Sequence, residues 1–327
     1  MRVDLLRAQR LLAVQHATSN RIAEATPAFV EAVASATRLG AAPGASVRVR
    51  MEAAAVLTAS AFYLRADNAE SRSRARDDAT RARALLESVA RESLSDAEWQ
   101  RLDDYRIYFF GTLSAVANTN DAGVVDTKQQ LAWAREGLAI AEARLKSTPD
   151  RLSFQDETAT ALLDVTVAAE AAGDIAQAID AAQRALDIRR KQGVADPANA
   201  GRQASTFFAL ISLIEVMNKA GDTPPLRKHL DDAEALLRTL SDDVLQKHDM
   251  VSAQIALHAV RARRYAENAG RAAQRGSRAT ACQIALREFK AIAPLQPRWE
   301  AFTRQSLEAE LAPTRDALRV CSERKTG

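Results

Sequence analysis

The histidines are the first residues to test for chemistry, because an imidazole can act as a general base or as a metal ligand. The chain has four, at positions 16, 229, 248 and 258. None lies in an HExxH segment, and His248 and His258 are ten residues apart, which is not the spacing of a shared helical metal site. The pattern therefore predicts solvated helix residues, and neither a catalytic histidine nor a metal site.

Other patterns that could support catalysis also have plainer interpretations. The pairs Asp231-Asp232 and Asp242-Asp243 could do acid–base chemistry only if burial separated their pKa values. The first pair is expected on an exposed helix face and the second at a helix start. The segment GAAPGAS at 40–46 lacks the Lys-Ser/Thr of a phosphate-binding loop and predicts a turn, and no HRD or DFG segment occurs. The sequence predicts a protein that is not an enzyme and has no cofactor.

Two arginine clusters could bind carboxylate or phosphate groups. They could equally be solvated helix faces that pair with neighbouring acids such as Asp77, Asp78 and Glu87. Aromatic residues are not interleaved with them, so base stacking and a nucleic-acid partner are not expected. The clusters contain Arg72, Arg74, Arg76, Arg81 and Arg83 on one predicted helix, and Arg261, Arg263, Arg264, Arg271, Arg275 and Arg278 around a later turn. Those taken as candidate partner contacts are Arg72, Arg76, Arg264, Arg271 and Arg275.

Tyr108 is the remaining candidate contact. It lies in a dense aromatic run, Tyr105 to Phe110, of a chain with only 5% aromatic residues. Tyr105 and Phe109 fit an apolar helical stripe, whereas Tyr108 does not. Core packing explains the run as a whole, and a binding hot spot at Tyr108 is the alternative.

Cys282 and Cys321 are the only two cysteines of the chain. Their separation excludes a CxxC metal or redox motif. They are either two buried thiols or a disulfide that joins the last helix to an earlier one. A disulfide would indicate an oxidising compartment.

Composition favours an all-helical fold. The chain of 327 residues is 47% hydrophobic and has only 12 Gly and 9 Pro, and it is rich in alanine and arginine, which favour helices. The net charge of +3 does not require a nucleic acid or an acidic membrane as partner. Apolar stretches long enough to span a membrane are absent, and Arg7 and Arg10 interrupt any signal-peptide core. A soluble chain, cytoplasmic by default, is expected.

The sequence repeats itself with a period of 48 residues. Gly173-Asp174 recurs as Gly221-Asp222, and Gln155 recurs as Gln203. Apolar positions step by three and four on both sides of each Gly-Asp pair, which predicts helix, tight turn, helix and loop. Gly suits the left-handed turn that ends a helix, and Asp suits the N-cap of the next.

This pattern resembles the tetratricopeptide repeat, a helical hairpin with small residues at close helix contacts. Ala178 and Ala185 fall on its small positions in the second helix. The phrases DAEWQ (96–100), DPANAGRQ (196–203) and ALDIRRKQ (185–192) are similar to the C-terminal repeat tails of bacterial membrane-anchored Ser/Thr protein kinases. That resemblance implies a sensing region, which would lie outside the cytoplasm, in the periplasm, if the chain is a piece of such a kinase.

The expected architecture is an all-α, right-handed solenoid of about six stacked antiparallel hairpins. Its expected parts are an irregular helical N-terminal cap (1–45), tetratricopeptide-like repeats (46–292), and a C-terminal capping helix with a frayed tail (293–327). The expected function is that of a non-enzymatic interaction or scaffold module that binds a peptide or protein in a concave groove. The alternative is a sensory or regulatory kinase tail without its kinase domain.

Overall fold

The structure is a computed structural model that describes residues 2–19, 21–64, 69–89, 94–116, 126–221, 223–246, 248–272, 274–303 and 307–322. Every regular element in these ranges is an α-helix, and none is a strand. The predicted all-α class is therefore confirmed for this part of the chain. The helices form two compact units, Met1–Asp174 and Ile175–Gly327. The division falls inside the segment 46–292 that was expected to form one repeat array.

In the first unit, helices that are neighbours in sequence pack side by side, and one of them, α3, is central. From Met51 to Ala61 every side chain of α3 is buried, and the helix contacts α1, α2, α4 and α5. Its many alanine and serine side chains are small enough to let four helices approach it closely. The described helices of this unit are α1 (Arg2–Thr18), α2 (Ile22–Gly40), α3 (Val47–Tyr63), α4 (Ala69–Glu87), α5 (Asp96–Val116), α6 (Thr127–Ser147) and α7 (Leu152–Ala171).

A buried charge on α3 is neutralised by its neighbours. The carboxylate of Glu52 accepts hydrogen bonds from Arg10 Nε at 3.0 Å and Nη2 at 2.9 Å, and from the Tyr105 hydroxyl at 2.7 Å. Burial, together with this hydrogen bond to Glu52, raises the pKa of Tyr105 to about 12, so the hydroxyl stays a donor. Because a buried charge is stable only when it is paired, these contacts fix α1 and α5 against α3.

In the second unit the long helix α12 is central. It contacts α9, α10, α13, α14 and α15, and its residues Val251, Leu257 and Ala262 are buried. Helices α13 and α15 are joined by the Cys282–Cys321 disulfide, whose Cα atoms are 5.4 Å apart. The described helices are α8 (Ile175–Ala195), α9 (Ala200–Ala220), α10 (Pro224–Leu237), α11 (Asp242–Leu245), α12 (His248–Arg271), α13 (Arg275–Ile292), α14 (Gln296–Thr303) and α15 (Glu308–Ser322).

The 48-residue period is visible in the hydrogen bonds of two helix pairs, α6 with α7 and α8 with α9. Gln155 Nε2 donates to the carbonyl of Pro149 at 2.8 Å, and Gln203 Nε2 donates to that of Pro197 at 3.3 Å. Helix α8 begins and ends 48 residues after α6. The repeat is therefore a repeat of local structure as well as of letters.

Threonines mark a second pair of equivalent contacts in these helix pairs. Thr158 Oγ1 on α7 donates to the carbonyl of Ala141 on α6 at 3.3 Å. Thr206 Oγ1 on α9 donates to the carbonyl of Arg189 on α8 at 3.2 Å. Both threonines are buried, so each hydroxyl is satisfied by the helix against which it packs.

The turn after α7 explains the glycine of the repeated Gly-Asp pair. Gly173 has a φ of +81°, in the left-handed region that glycine adopts without strain. Its N–H donates to Glu170 O, and the N–H of Asp174 donates to Ala169 O, which is the pattern of a Schellman motif. The equivalent Gly221 ends α9 with a φ of +124°. Asp222 lies outside the described residues.

Small residues of the repeat lie at close helix contacts, and one expected turn is displaced. Ala178 and Ala185 in α8 are both fully buried. Gly276, which was expected to turn the chain, instead lies in the first turn of α13 and has no positive φ. The chain breaks just before it, at the end of α12 and the start of α13.

Candidate functional site

The candidate site is a pocket in the first unit between the end of α2, the following loop, α3 and α4. It has a volume of about 470 Å³, within the range of small-molecule and side-chain pockets. We call it the α2–α4 pocket. Its wall is mainly apolar, with Leu57 from α3, Leu85 from α4 and Pro43 from the loop. It can therefore enclose an apolar group.

Two glycines explain how the sequence builds this pocket. At Gly40, the last residue of α2, a Cβ would lie 2.8 Å from Ala53 Cβ, so glycine permits the close approach of α2 to α3. Gly44 has a φ of +73° and lets the loop turn back towards α3. Ser46 then caps α3 by accepting a hydrogen bond from the N–H of Val49. The segment 40–46, predicted as a turn, is a turn that also lines the pocket.

Arg81 is one of two arginines in the pocket, and its charge is paired. Its Nη2 forms an ion pair with Asp78, a carboxylate that is only 1% exposed. Its Nη1 donates to Thr37 Oγ1 at 3.0 Å. Burial raises the pKa of Asp78, although the Ser60 hydroxyl, which donates to it at 2.8 Å, and the charge of Arg81 oppose that rise. Arg81 therefore has a structural role at the pocket edge.

Arg50, on α3, is the second arginine of the pocket, and its partners are uncharged. Its Nη1 donates to the backbone oxygen of Ser88 at 3.3 Å and to Ser88 Oγ at 3.4 Å. Both bonds are long for N–H donors. Among the described residues no carboxylate pairs with Arg50. The pocket therefore combines an apolar wall with one guanidinium whose charge the described residues leave uncompensated.

The predicted contacts of the first unit lie elsewhere or outside the description. Tyr108 on α5 is 41% exposed, as expected for a residue outside the core stripe. Arg76 is partly buried on α4. Arg72 lies in α4, but its side chain is outside the described part of the structure. Sequence reasoning missed Arg50, because the arginine clusters were chosen by density along the chain, whereas Arg50 reaches the pocket through tertiary packing.

Among the predicted contacts of the second unit, Arg264 requires a correction. It is 9% exposed, and its Nε donates to Asn218 Oδ1 at 2.6 Å while Nη1 donates to Glu267 at 2.9 Å. Its guanidinium holds α12 to the end of α9 and is not available on the surface. Arg271 is exposed at the end of α12, and the side chain of Arg275 lies outside the described residues.

His258 also differs from its expected role as a solvated residue. Its Nδ1 lies 2.9 Å from Glu288 Oε2, and both side chains are largely buried. Arg261, buried on α12, lies 3.4 Å from the other oxygen of Glu288 and also pairs with Glu234. Burial alone would raise the pKa of Glu288, but His258 and the nearby arginines outweigh it and lower this pKa to about 2. The side chain of His248 is outside the description.

These second-unit side chains line a cavity of about 330 Å³ between α10, α12 and α13. Each carboxylate in it is matched by at least one guanidinium: Glu234 pairs with Arg238 and Arg261, and Glu288 pairs with Arg261 and Arg287. The charges of this cavity therefore satisfy one another, in contrast to Arg50 in the α2–α4 pocket.

Searches for two other kinds of site were negative over the described residues. They contain no group of three or more His, Cys, Asp or Glu side chains arranged to hold a metal ion. Nor do they include a helix with the length and apolar character needed to cross a membrane.

Comparison with known proteins leaves the α2–α4 pocket as the main guide to function. The chain matches no protein-family model, and no curated protein matches it. The likeness to tetratricopeptide repeats accordingly depends on this chain's own residues, such as Gly173 and Ala178, and on the two equivalent helix pairs.

Proposed function

We propose that the protein is a non-enzymatic interaction module that binds a peptide or protein segment, with the α2–α4 pocket as the site that receives it. The observation that carries this proposal is the pocket itself. It is concave, about 470 Å³ in volume, and mostly apolar, and so it is large enough for one or two apolar side chains of a partner.

The chemistry of the pocket supports recognition over catalysis. Its charged groups are the guanidiniums of Arg50 and Arg81, which do not exchange protons near neutral pH. Its hydroxyls, Thr37 and Ser88, are hydrogen-bonded to these arginines. Such groups orient a bound partner and supply neither a general base nor an activated nucleophile.

The proposed architecture is a tetratricopeptide-like solenoid, which suits a binding role. The equivalent helix pairs α6/α7 and α8/α9, with matching spans and hydrogen bonds, support stacking of one unit type. A preorganised helical surface loses little conformational entropy when a partner binds.

A second candidate function is the sensory or regulatory tail of a bacterial Ser/Thr kinase. The observation that favours it is the Cys282–Cys321 disulfide between α13 and α15. Disulfides persist mainly in oxidising compartments, such as the periplasm, where the sensing region of a membrane-anchored kinase would lie. In that case, too, the module would bind its ligand without carrying out chemistry.

A pocket-filling variant tests the proposed site. Ala84 lines the pocket and is exposed on α4, so Ala84→Phe should occupy the pocket without disturbing the core. The matched control is Ala132→Phe, at an exposed position of α6 in the same unit. Peptides are first selected from a random displayed library against the natural protein, and their affinities are then measured by fluorescence anisotropy.

The expected result is a set of selected peptides that bind the natural protein and the Ala132→Phe variant alike and bind Ala84→Phe at least about ten-fold more weakly. Equal binding to both variants would place the peptide site elsewhere. Failure to select any peptide would contradict the proposed function.

A further inference from the structure

We infer that the α2–α4 pocket selects peptide segments that carry an aspartate or glutamate within a few residues of an apolar side chain, and that Arg50 reads the acidic group. This inference rests on the proposed function and adds the chemistry of the partner. Its basis is the imbalance of charge in the pocket.

The two arginines of the pocket differ in the way that matters for recognition. Arg81 is held by the buried Asp78, so its charge is already neutralised. Arg50 donates only to the two oxygens of Ser88, at 3.3 and 3.4 Å, and these carry no net charge. Within the described ranges the pocket thus presents one net positive charge.

An incoming carboxylate can replace Ser88 as the partner of Arg50 with little loss. The bonds to Ser88 are long, whereas a guanidinium and a carboxylate form shorter, charge-assisted bonds that are often bidentate. The Ser88 hydroxyl would keep a partner, because it donates to Leu85 O at 2.7 Å. Exchange of partners would therefore leave no buried polar group unsatisfied.

The position of Arg50 also sets the distance between the two features of the partner. Arg50 and Leu57 lie on α3, seven residues or two helical turns apart, and both line the pocket. Two turns of helix extend about 10.5 Å. An extended peptide covers this distance in about three residues, so the acidic residue should occur within about three positions of the apolar one.

A charge-reversal experiment tests the inference. The same displayed library is selected against the natural protein, Arg50→Gln, Arg50→Glu and the control Arg48→Gln. Arg48 lies two residues earlier on α3, its side chain is 61% exposed, and it pairs with Glu98 away from the pocket. It therefore undergoes the same charge change at a different surface.

The natural protein and Arg48→Gln should enrich apolar residues accompanied by Asp or Glu. Arg50→Gln should bind these peptides roughly ten- to hundred-fold more weakly, with no acidic preference in its own selection. Arg50→Glu should enrich Lys or Arg at the position of the acid. Melting curves should be similar for all variants, because Arg50 contributes only long bonds to Ser88.

Two outcomes separate this inference from the proposed function. If peptides are selected, bind less well to Ala84→Phe, and show no acidic preference or no response to Arg50→Gln, the pocket binds peptides but Arg50 does not read an acid. If no peptide is selected by any form of the protein, both proposals fail.

Discussion

The carboxylate of Asp164 on α7 lies directly against the backbone of Gly111 on α5. A Cβ at position 111 would be 2.6 Å from Asp164 Oδ2, so only glycine leaves room for this carboxylate. In the described structure Asp164 has no ion pair or hydrogen bond, and burial raises its pKa to about 7. An unpaired carboxylate at a helix contact is a cost to stability whenever it is charged.

Asp164→Asn should therefore stabilise the protein at alkaline pH and change little in acid. The folded pKa of about 7 exceeds the model value of 3.8, so the favourable protonated form is fully present below about pH 4 and is lost as the pH rises through 7. The free energy of unfolding of the variant should exceed that of the natural protein by on the order of 2–4 kcal/mol at pH 8. Urea unfolding at pH 4.5 and pH 8 measures the difference.

The control for this prediction is Asp150→Asn, at an exposed position in the loop before α7. It removes the same charge without relieving burial, and its effect should not grow between the two pH values. A pH-independent difference for Asp164→Asn would show that burial of the charge is not the cause.

Gly173 and Gly276 should respond to alanine in opposite directions. Nothing lies within 4 Å of a Cβ at either position, so only the backbone distinguishes them. Gly173 has a φ of +81°, and alanine there should destabilise by about 1–2 kcal/mol. Gly276 lies in the first turn of α13 without a positive φ, and alanine should stabilise by up to about 1 kcal/mol. Thermal unfolding of the two variants measures both signs, and destabilisation by Gly276→Ala would contradict the helical assignment.

The disulfide should make a measurable contribution to stability. Cys282 and Cys321 are 39 residues apart, so opening the bridge should lower the free energy of unfolding by about 3–4 kcal/mol through the entropy of the unfolded chain. The Cys282→Ser and Cys321→Ser double variant should melt at the same lower temperature with or without reductant. Mass spectrometry of the unreduced natural protein should recover the two cysteine peptides joined, and two free thiols would rule the bridge out.

Local features of this chain could be predicted from its sequence because they depend on contacts a few residues apart. The helix that begins at Thr127, the Pro224-Pro225 start of α10 and the glycine turn at Gly173 all follow from apolar spacing and capping chemistry. The period of 48 residues likewise predicted two equivalent helix pairs, and the structure contains them. Hydrogen bonds between residues i and i+4 fix such features wherever the helices are placed.

What only the tertiary structure decided is which charged side chains remain available. Arg264 and Arg271 look alike in sequence, yet packing buries Arg264 against Asn218, 46 residues away, and leaves Arg271 exposed. Arg50 belongs to neither cluster and becomes the candidate anchor only because α2, α3 and α4 meet around it. The cost of burying a charge depends on groups that are distant in the chain, and the spacing of residues along one helix does not determine which groups those will be.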